Sequence, residues 1–573
     1  MKKSLVLFVL IGLFAPQYLF AQTPRNDKQS AQWVEKALKE LSLREKIGQM
    51  INVPFNTEFT NFNSDRFARI RWQIEQNKVG GFTVFRGEAN AIAALTNEAQ
   101  RLSKIPLFFS ADYERGLRMQ SRTGTSFTTN MGVAAAGDPQ AAYRQGKIIC
   151  DEMRAIGVNW LFGPVADINN NPDNPVINIR SYGADPTSVG EFVTALSRGV
   201  KERGCLATLK HFPGHGDTAT DSHIGLSVVP IDRKRLDAVE LVPFKMAING
   251  GVDSVMTAHV AVPNVTGDNL PGTLSPKIST DILRGDLKFD GIITTDSMEM
   301  GAITKNYPNG QSAVMAIKAG ADVVLFPPDP EKAINAIEEA VKKGEITEER
   351  INQSVRRLLA AKYRIGLVQD RFVDLSQVNH KIEQPENVKE ANATAERSIT
   401  LLRNGDNFFP LPAGKADSAL FVVIAADDDA MEGSVLIPEI QRRAPRAKVI
   451  RLDPRSTPDE YRKVLSDAAA YSTIVIAPFV KRAALKGTVA LPENQADFVK
   501  QLLNTGKSVG VVAFGSPYLI RQFRDVKTYV VTYAIEDVAQ FAAARAIFGE
   551  VPFSGRLPVA VPGLFEIGAG VAK

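Results

Sequence analysis

Cysteine is nearly absent from this chain: Cys150 and Cys205 are the only two in 573 residues. A small fold stapled by many disulfides is thereby excluded, and stability has to come from a large buried core, which this length allows. Neither cysteine lies in a metal or redox motif, and the pair reads as two buried thiols. An excess of charge is also lacking. The net charge is only +5 and the basic residues are scattered, so no nucleic-acid partner is expected. No collagen-like, coiled-coil or low-complexity tract interrupts the chain. No glycine-rich phosphate loop and no His-Glu-x-x-His pattern is present, which removes two common cofactor and metal chemistries. Histidine is scarce too, five in all, yet His211, His215 and His223 fall within "KHFPGHGDTATDSHIGL" at 210–226.

What is there is the composition of a globular protein, 44% hydrophobic and 23% charged, with mean hydropathy −0.09. The first residues, "MKKSLVLFVLIGLFAPQYLFAQ", combine Lys2 and Lys3, a short apolar core and a small residue at Ala21. This is the pattern of a cleaved secretory signal over 1–21, too short and too interrupted at Pro16 for a span. The expectation is export to a periplasm or the medium, with no stable membrane anchor after cleavage. Beyond it, apolar runs at 49–55, 79–85, 106–112, 159–168, 206–212, 253–260, 291–297 and 321–327 alternate with amphipathic stretches. Two of those stretches open at an Asp-Pro cap and close at glycine, as helices do. Strand and helix repeating over about 300 residues predict a (β/α)8 barrel of the TIM type at 22–367. Polar sequence at 368–392 reads as a linker carrying an exposed His380. Further apolar runs at 393–573 predict a second α/β domain around a mostly parallel sheet.

In such a barrel, chemistry collects where strands end. The runs end at Asp112, Asp167, Lys210-His211, His259 and Asp296, and the loop after the fourth carries Arg180. Each alone has a plain use as a helix cap or a rim contact. An apolar barrel has little structural use for so many ionisable groups at one end. His211 and His215 have the spacing of a metal pair on a helix, but Pro213, Gly214 and Gly216 disfavour a helix and no further ligand is near, so no metal and no cofactor is expected. Asp221 and His223 stand two apart. A carboxylate there accepts from one ring nitrogen and favours the protonated imidazole, a proton donor and acceptor suited to neutral pH.

"KHFPGHG" followed by "DSH", with "PVADIN" and "NPVINIRSYG" before it and "TTDSMEM" after it, resembles glycoside hydrolase family 3. Within the family it is most similar to the bacterial β-N-acetylglucosaminidases of the NagZ type, over residues 30–365 and with the motifs in family order. The later unit, ending in "SGRLPV", resembles the family's C-terminal α/β sandwich. The resemblance implies a retaining exo-β-N-acetylhexosaminidase acting on small carbohydrates, peptidoglycan fragments or related glycans. It implies Asp296 as nucleophile, His223 with Asp221 as acid/base, and Asp112, Arg180, Lys210 and His211 as contacts to sugar hydroxyls. His215 is expected to shape the loop and His259 to support the rim. After Asp112 the chain departs from the family pattern: "DYERGLRM" carries Arg115 and Leu117, leaving Arg118 or Arg122 as the arginine that follows. Three alternatives stand beside this expectation: a phosphorylase on the same scaffold, a β-glucosidase whose acid is Glu432 or Glu493, and an inactive glycan-binding protein.

Overall fold

Parallel strands covered on both faces are apolar along their whole length, and the runs identified above form such strands. The computed structural model describes residues 27–219, 221–222, 224–482 and 486–573; the signal expected at 1–21, and His223, lie outside them. Eight strands build the first sheet: β1 (Ile51–Asn56), β2 (Gly81–Phe85), β3 (Phe108–Ala111), β4 (Trp160–Leu161), β5 (Leu206–Phe212), β6 (Ser254–Thr257), β7 (Ile292–Thr295) and β8 (Val324–Leu325). Their pairings are parallel in chain order, and β8 returns to β1 through Ile51 and Val324. The ring closes between β7 and β8, where Thr295 N–H donates to Val323 O at 3.0 Å. This is the expected barrel. Its interior is filled rather than hollow: the Phe55 and Phe82 ring centroids are 4.9 Å apart, and Asn52, Thr83 and Ser110 hydrogen-bond to one another on the same strands.

Most runs are shorter as strands than the sequence suggests, down to Val324–Leu325 in the last, and two of them break off for a visible reason. The 159–168 stretch pairs only at Trp160–Leu161 and again at Val165, opposite Lys210, because Pro164 supplies no N–H to the ladder. The 253–260 stretch stops at Thr257, and Val260–Ala261 pairs instead with Ser227–Val228 in a small separate ribbon.

Helices Pro139–Ala155 and Pro186–Glu202 begin where the Asp138 and Asp185 side chains accept from the backbone N–H groups of Gln140 and Ser188. Cys150 lies on the first and Cys205 just beyond the second. They are not two thiols, as the sequence suggested, but one disulfide with its Cα atoms 5.9 Å apart. Two cysteines say nothing about pairing until the fold brings two neighbouring helices side by side.

Residues 368–392 hold the short helix Val378–Lys381 and the start of helix Pro385–Ser398, and His380 is exposed. Glu383 is tied to the barrel, accepting from Gly124 N–H and donating its own N–H to Glu152, both at 3.0 Å. The second domain is built on β9 (Thr400–Asn404), β10 (Leu420–Ala425), β11 (Lys448–Leu452), β12 (Thr473–Val480), β13 (Ser508–Gly515) and β14 (Thr528–Val531). Their order is β9-β14-β13-β12-β10-β11, parallel except for β9. Residues alternate between the two faces. Leu420, Val422 and Ile424 pack on the side that also takes in Met131, Ala135 and Ile179 of the barrel, while Phe421 and Val423 face away. The two domains therefore share a core. Among the described residues, no helix is long and apolar enough to cross a membrane.

Candidate active site

Asp112 is the first residue past β3, and the loop it opens turns back on itself at Gly116. That residue has φ +100°, and a Cβ there would meet Thr125 O at 2.1 Å. The turn brings Glu114 under Asp112. From β5, Lys210 reaches both carboxylates, with Nζ 2.6 Å from Asp112 and 2.8 Å from Glu114. Arg180 grips Glu114 with a fork at 2.6 and 3.1 Å. Burial alone would raise Glu114; Arg180 and Lys210 outweigh it and hold the carboxyl well below the usual range. Burial alone would likewise lower Lys210, and Asp112 with Glu114 keep it above its ordinary value. Lys210 and Glu114 are 2% and 4% exposed while Asp112 is 29% exposed, so Asp112 is the member open to a ligand.

Asp167 forms a second centre. Fully buried, it accepts from the backbone N–H groups of His211 and His215 and lies 2.7 Å from His211 Nδ1. Burial would raise this carboxyl, and the His211 ring, followed by His215, brings it below its ordinary value. An ionised carboxylate only accepts, so Nδ1 of His211 carries the proton and Nε2 is left for the cleft. Gly216, in the same motif, is packed so closely that a Cβ would stand 1.6 Å from Ile168 O. His215 does shape the loop: its ring nitrogens lie 2.8 Å from Thr218 Oγ1 and 2.8 Å from Ser222 Oγ. Burial first, and His211 second, push that ring down to about 4, so it is neutral in the fold.

The loop continues through buried Asp221 and Ser222. It is held on its far side by Ala302 N–H donating to Ser222 O at 3.4 Å and by Lys305 Nζ donating to Ile224 O at 2.6 Å. Both anchors belong to the segment after β7, which begins with Asp296. Asp296 donates its N–H to Thr257 O at 3.0 Å and accepts from Ser297 N–H at 2.7 Å. His259 lies under that turn, with Nε2 2.8 Å from Ser297 O. The expected residues that are described fall on one rim: Asp112, Arg180 and Lys210 in one network, His211 on Asp167 beside it, and Asp221 and Asp296 on joined segments; His223 lies outside the described residues.

Two participants, Glu114 and Arg482, lay beyond the reach of the sequence, and Asp167 was marked there only by its place at a strand end. Glu114 sits two residues past a strand end, where only its double pairing marks it. Asp167 looked like one strand-end acid among several. Arg482 comes from the second domain and donates to Val176 O at 2.9 Å. The arginines after Asp112 face that domain: Arg115 pairs with Glu536 at 2.8 Å and Arg118 with Asp537 at 3.5 Å, while Arg122 is exposed. Of the two second-domain acids considered, Glu493 is exposed at the start of helix Glu493–Leu503. Glu432 is buried, and burial followed by Asp427 and Asp429 raises it to about 8.

Residues 42–361 match the family model described as the glycosyl hydrolase family 3 N-terminal domain, and 399–566 match that of the family 3 C-terminal domain. The chain belongs to glycosyl hydrolase family 3. This family 3 protein is an enzyme, a glycoside hydrolase. A β-N-acetylglucosaminidase/β-glucosidase of Cellulomonas fimi is 29% identical over 394 residues, covering 67% of this chain and 69% of that one. The solved family 3 β-N-acetylglucosaminidase of Paenibacillus sp. str. FPU-7 is 34% identical with a TM-score of 0.82, covering 91% of this chain and 99% of its own. The β-glucoside phosphorylase BglX, solved with 2FGlc bound, is 26% identical with a TM-score of 0.84, over 93% and 97%.

Proposed function

We propose that this family 3 enzyme is an exo-acting β-N-acetylhexosaminidase that releases terminal β-linked N-acetylglucosamine with retention at the anomeric carbon. One arrangement carries the reading. Asp296 and the loop of Asp221 share a rim with a polar network of Asp112, Lys210 and Arg180, with His211 beside it. In the first step the Asp296 carboxylate bonds to the anomeric carbon. The bond to the glycosidic oxygen breaks, and that oxygen takes the proton of the His223 imidazolium. In the second step neutral His223 takes a proton from water, whose oxygen displaces Asp296 and restores the carboxylate. Two carboxyl groups about 5–5.5 Å apart do this work in most retaining enzymes. Here Asp221 orients the ring and favours its charged form.

The substrates that fit are peptidoglycan fragments or related glycans ending in N-acetylglucosamine. Export is supported by the signal-like residues 1–21 and by the disulfide, a bond that persists in oxidising compartments. The likeness to the phosphorylase BglX favours a second reading in which phosphate replaces water, since a histidine repels phosphate less than a carboxylate does. The test is nitrophenol release from the β-N-acetylglucosaminide and the β-glucoside, with and without phosphate. Hydrolysis of the N-acetyl substrate in buffer, abolished in Asp296→Ala and reduced in His223→Ala, is the expected result. Sugar 1-phosphate as main product selects the second reading. A glucoside reaction that survives His223→Ala and is lost in Glu432→Gln refutes the dyad.

A further inference from the structure

Arg482 occupies a place where a cation is costly. It follows β12 in the second domain, yet its guanidinium bonds to Val176, on the barrel loop that carries Arg180. Arg180, Glu114, Arg115 and Asp221 are the charges that act on it. Burial first, and Arg180 next, push it down to about 9. The other cations of the cluster have carboxylates at close range: Arg180 has Glu114 at 2.6 Å, Lys210 has Asp112 and Glu114, and Arg115 has Glu536. Among the described residues Arg482 has no ion pair, and the residues that follow it, Ala483, Ala484 and Leu485, bring no carboxylate. Its Nε and Nη2 make no hydrogen bond among the described residues.

A largely buried guanidinium without a counter-charge is unfavourable unless a ligand supplies one. Its planar fork matches the oxygens of a carboxylate or a phosphate. We propose that Arg482 is the oxyanion-binding residue of the cleft, lent to the barrel by the second domain. The oxyanion is either a carboxylate on the sugar that leaves or inorganic phosphate. This rests on the function proposed above and narrows its substrate class: an acidic group beside the scissile bond is recognised, not merely tolerated.

The test uses the full chain and its Arg482→Gln and Arg482→Lys variants. Two disaccharides serve as substrates, neutral N,N′-diacetylchitobiose and N-acetylglucosamine β-1,4-linked to N-acetylmuramic acid, which carries a carboxylate. Inorganic phosphate is titrated separately against the nitrophenyl substrate at constant ionic strength. If the oxyanion is the carboxylate, Arg482→Gln lowers kcat/KM for the acidic disaccharide about tenfold or more beyond its effect on the neutral one. The loss falls in KM, and Arg482→Lys recovers part of it. If it is phosphate, the two disaccharides fall in parallel, and the concentration of phosphate needed for its half-maximal effect rises about tenfold or more. Parallel loss on both disaccharides with an unchanged phosphate response overturns the proposal and leaves Arg482 as a prop for Val176. Matching unfolding midpoints exclude misfolding, and if the Gln variant fails that control the Lys variant decides by the same ratios. Failure of the wild type on the nitrophenyl substrate sinks the proposed function instead.

Discussion

Glu114 holds two cations at once, and the physics of that position differs from that of a surface ion pair. Its carboxylate is almost wholly out of water, and Arg180 and Lys210 are the groups that keep it ionised there. Replacing it by an isosteric amide leaves two buried positive charges without their partner. Glu114→Gln is therefore expected to cost about 3–5 kcal/mol, read as a lowered denaturant midpoint at unchanged slope. kcat/KM should fall with it, because Lys210 and Arg180 lose the group that aims them. A change of less than about 1 kcal/mol would mean that the network is solvated, as surface pairs are. Asp112, Lys210, His211 and Asp296 were legible in the sequence because each sits at the end of an apolar run. Glu114 was not, since nothing in "DYERG" distinguishes a buried double acceptor from an exposed loop acid.

The loop from Pro213 to Gly225 gains its shape from His215 more than from regular secondary structure. A neutral ring spans Thr218 and Ser222, and so fixes the residue between Asp221 and His223. His215→Phe keeps the aromatic bulk and removes both contacts. It is expected to lower kcat by about 10- to 100-fold with a smaller effect on KM, because the acid/base proposed at His223 is misplaced while the proposed sugar contacts remain. The pH dependence carries a sign. The folded ring titrates at about 4 against an ordinary 6.5, so its contribution is complete above 6.5 and lost as pH falls towards 4. The midpoint difference between wild type and His215→Gln should thus shrink over that window. A difference independent of pH would place the ring in solvent. The sequence announced this loop through its glycines and histidines but misjudged two strands beside it. Pro164 broke one ladder, and the other ended where Val260 took a new partner.

Across the whole molecule, stability and completeness of the site are shared between distant segments. The Cys150–Cys205 disulfide, with a sequence separation of 55, joins the helix Pro139–Ala155 to the residue just before β5, the strand that bears Lys210 and His211. In the chain-entropy account its reduction removes about 4 kcal/mol of stability. The protein is expected to unfold at lower denaturant in dithiothreitol, and a Cys150→Ser/Cys205→Ser variant should show the same loss and no further response to reductant. An equal midpoint with and without reductant would refute the pairing. Fold class and most of the barrel were open to sequence reasoning, because parallel strands and capped helices leave periodic traces. The pairing of cysteines and the entry of Arg482, 302 positions beyond Arg180 in numbering, depend on how domains meet, which no local pattern records. Asp167 extends that lesson to inheritance. One carboxylate fixes both His211, the proposed sugar contact, and the loop anchor His215. Substrate choice and proton transfer therefore cannot drift apart one mutation at a time. Whoever transplants this chemistry to another barrel has to move the stretch from Asp167 to Ser222 as a single block.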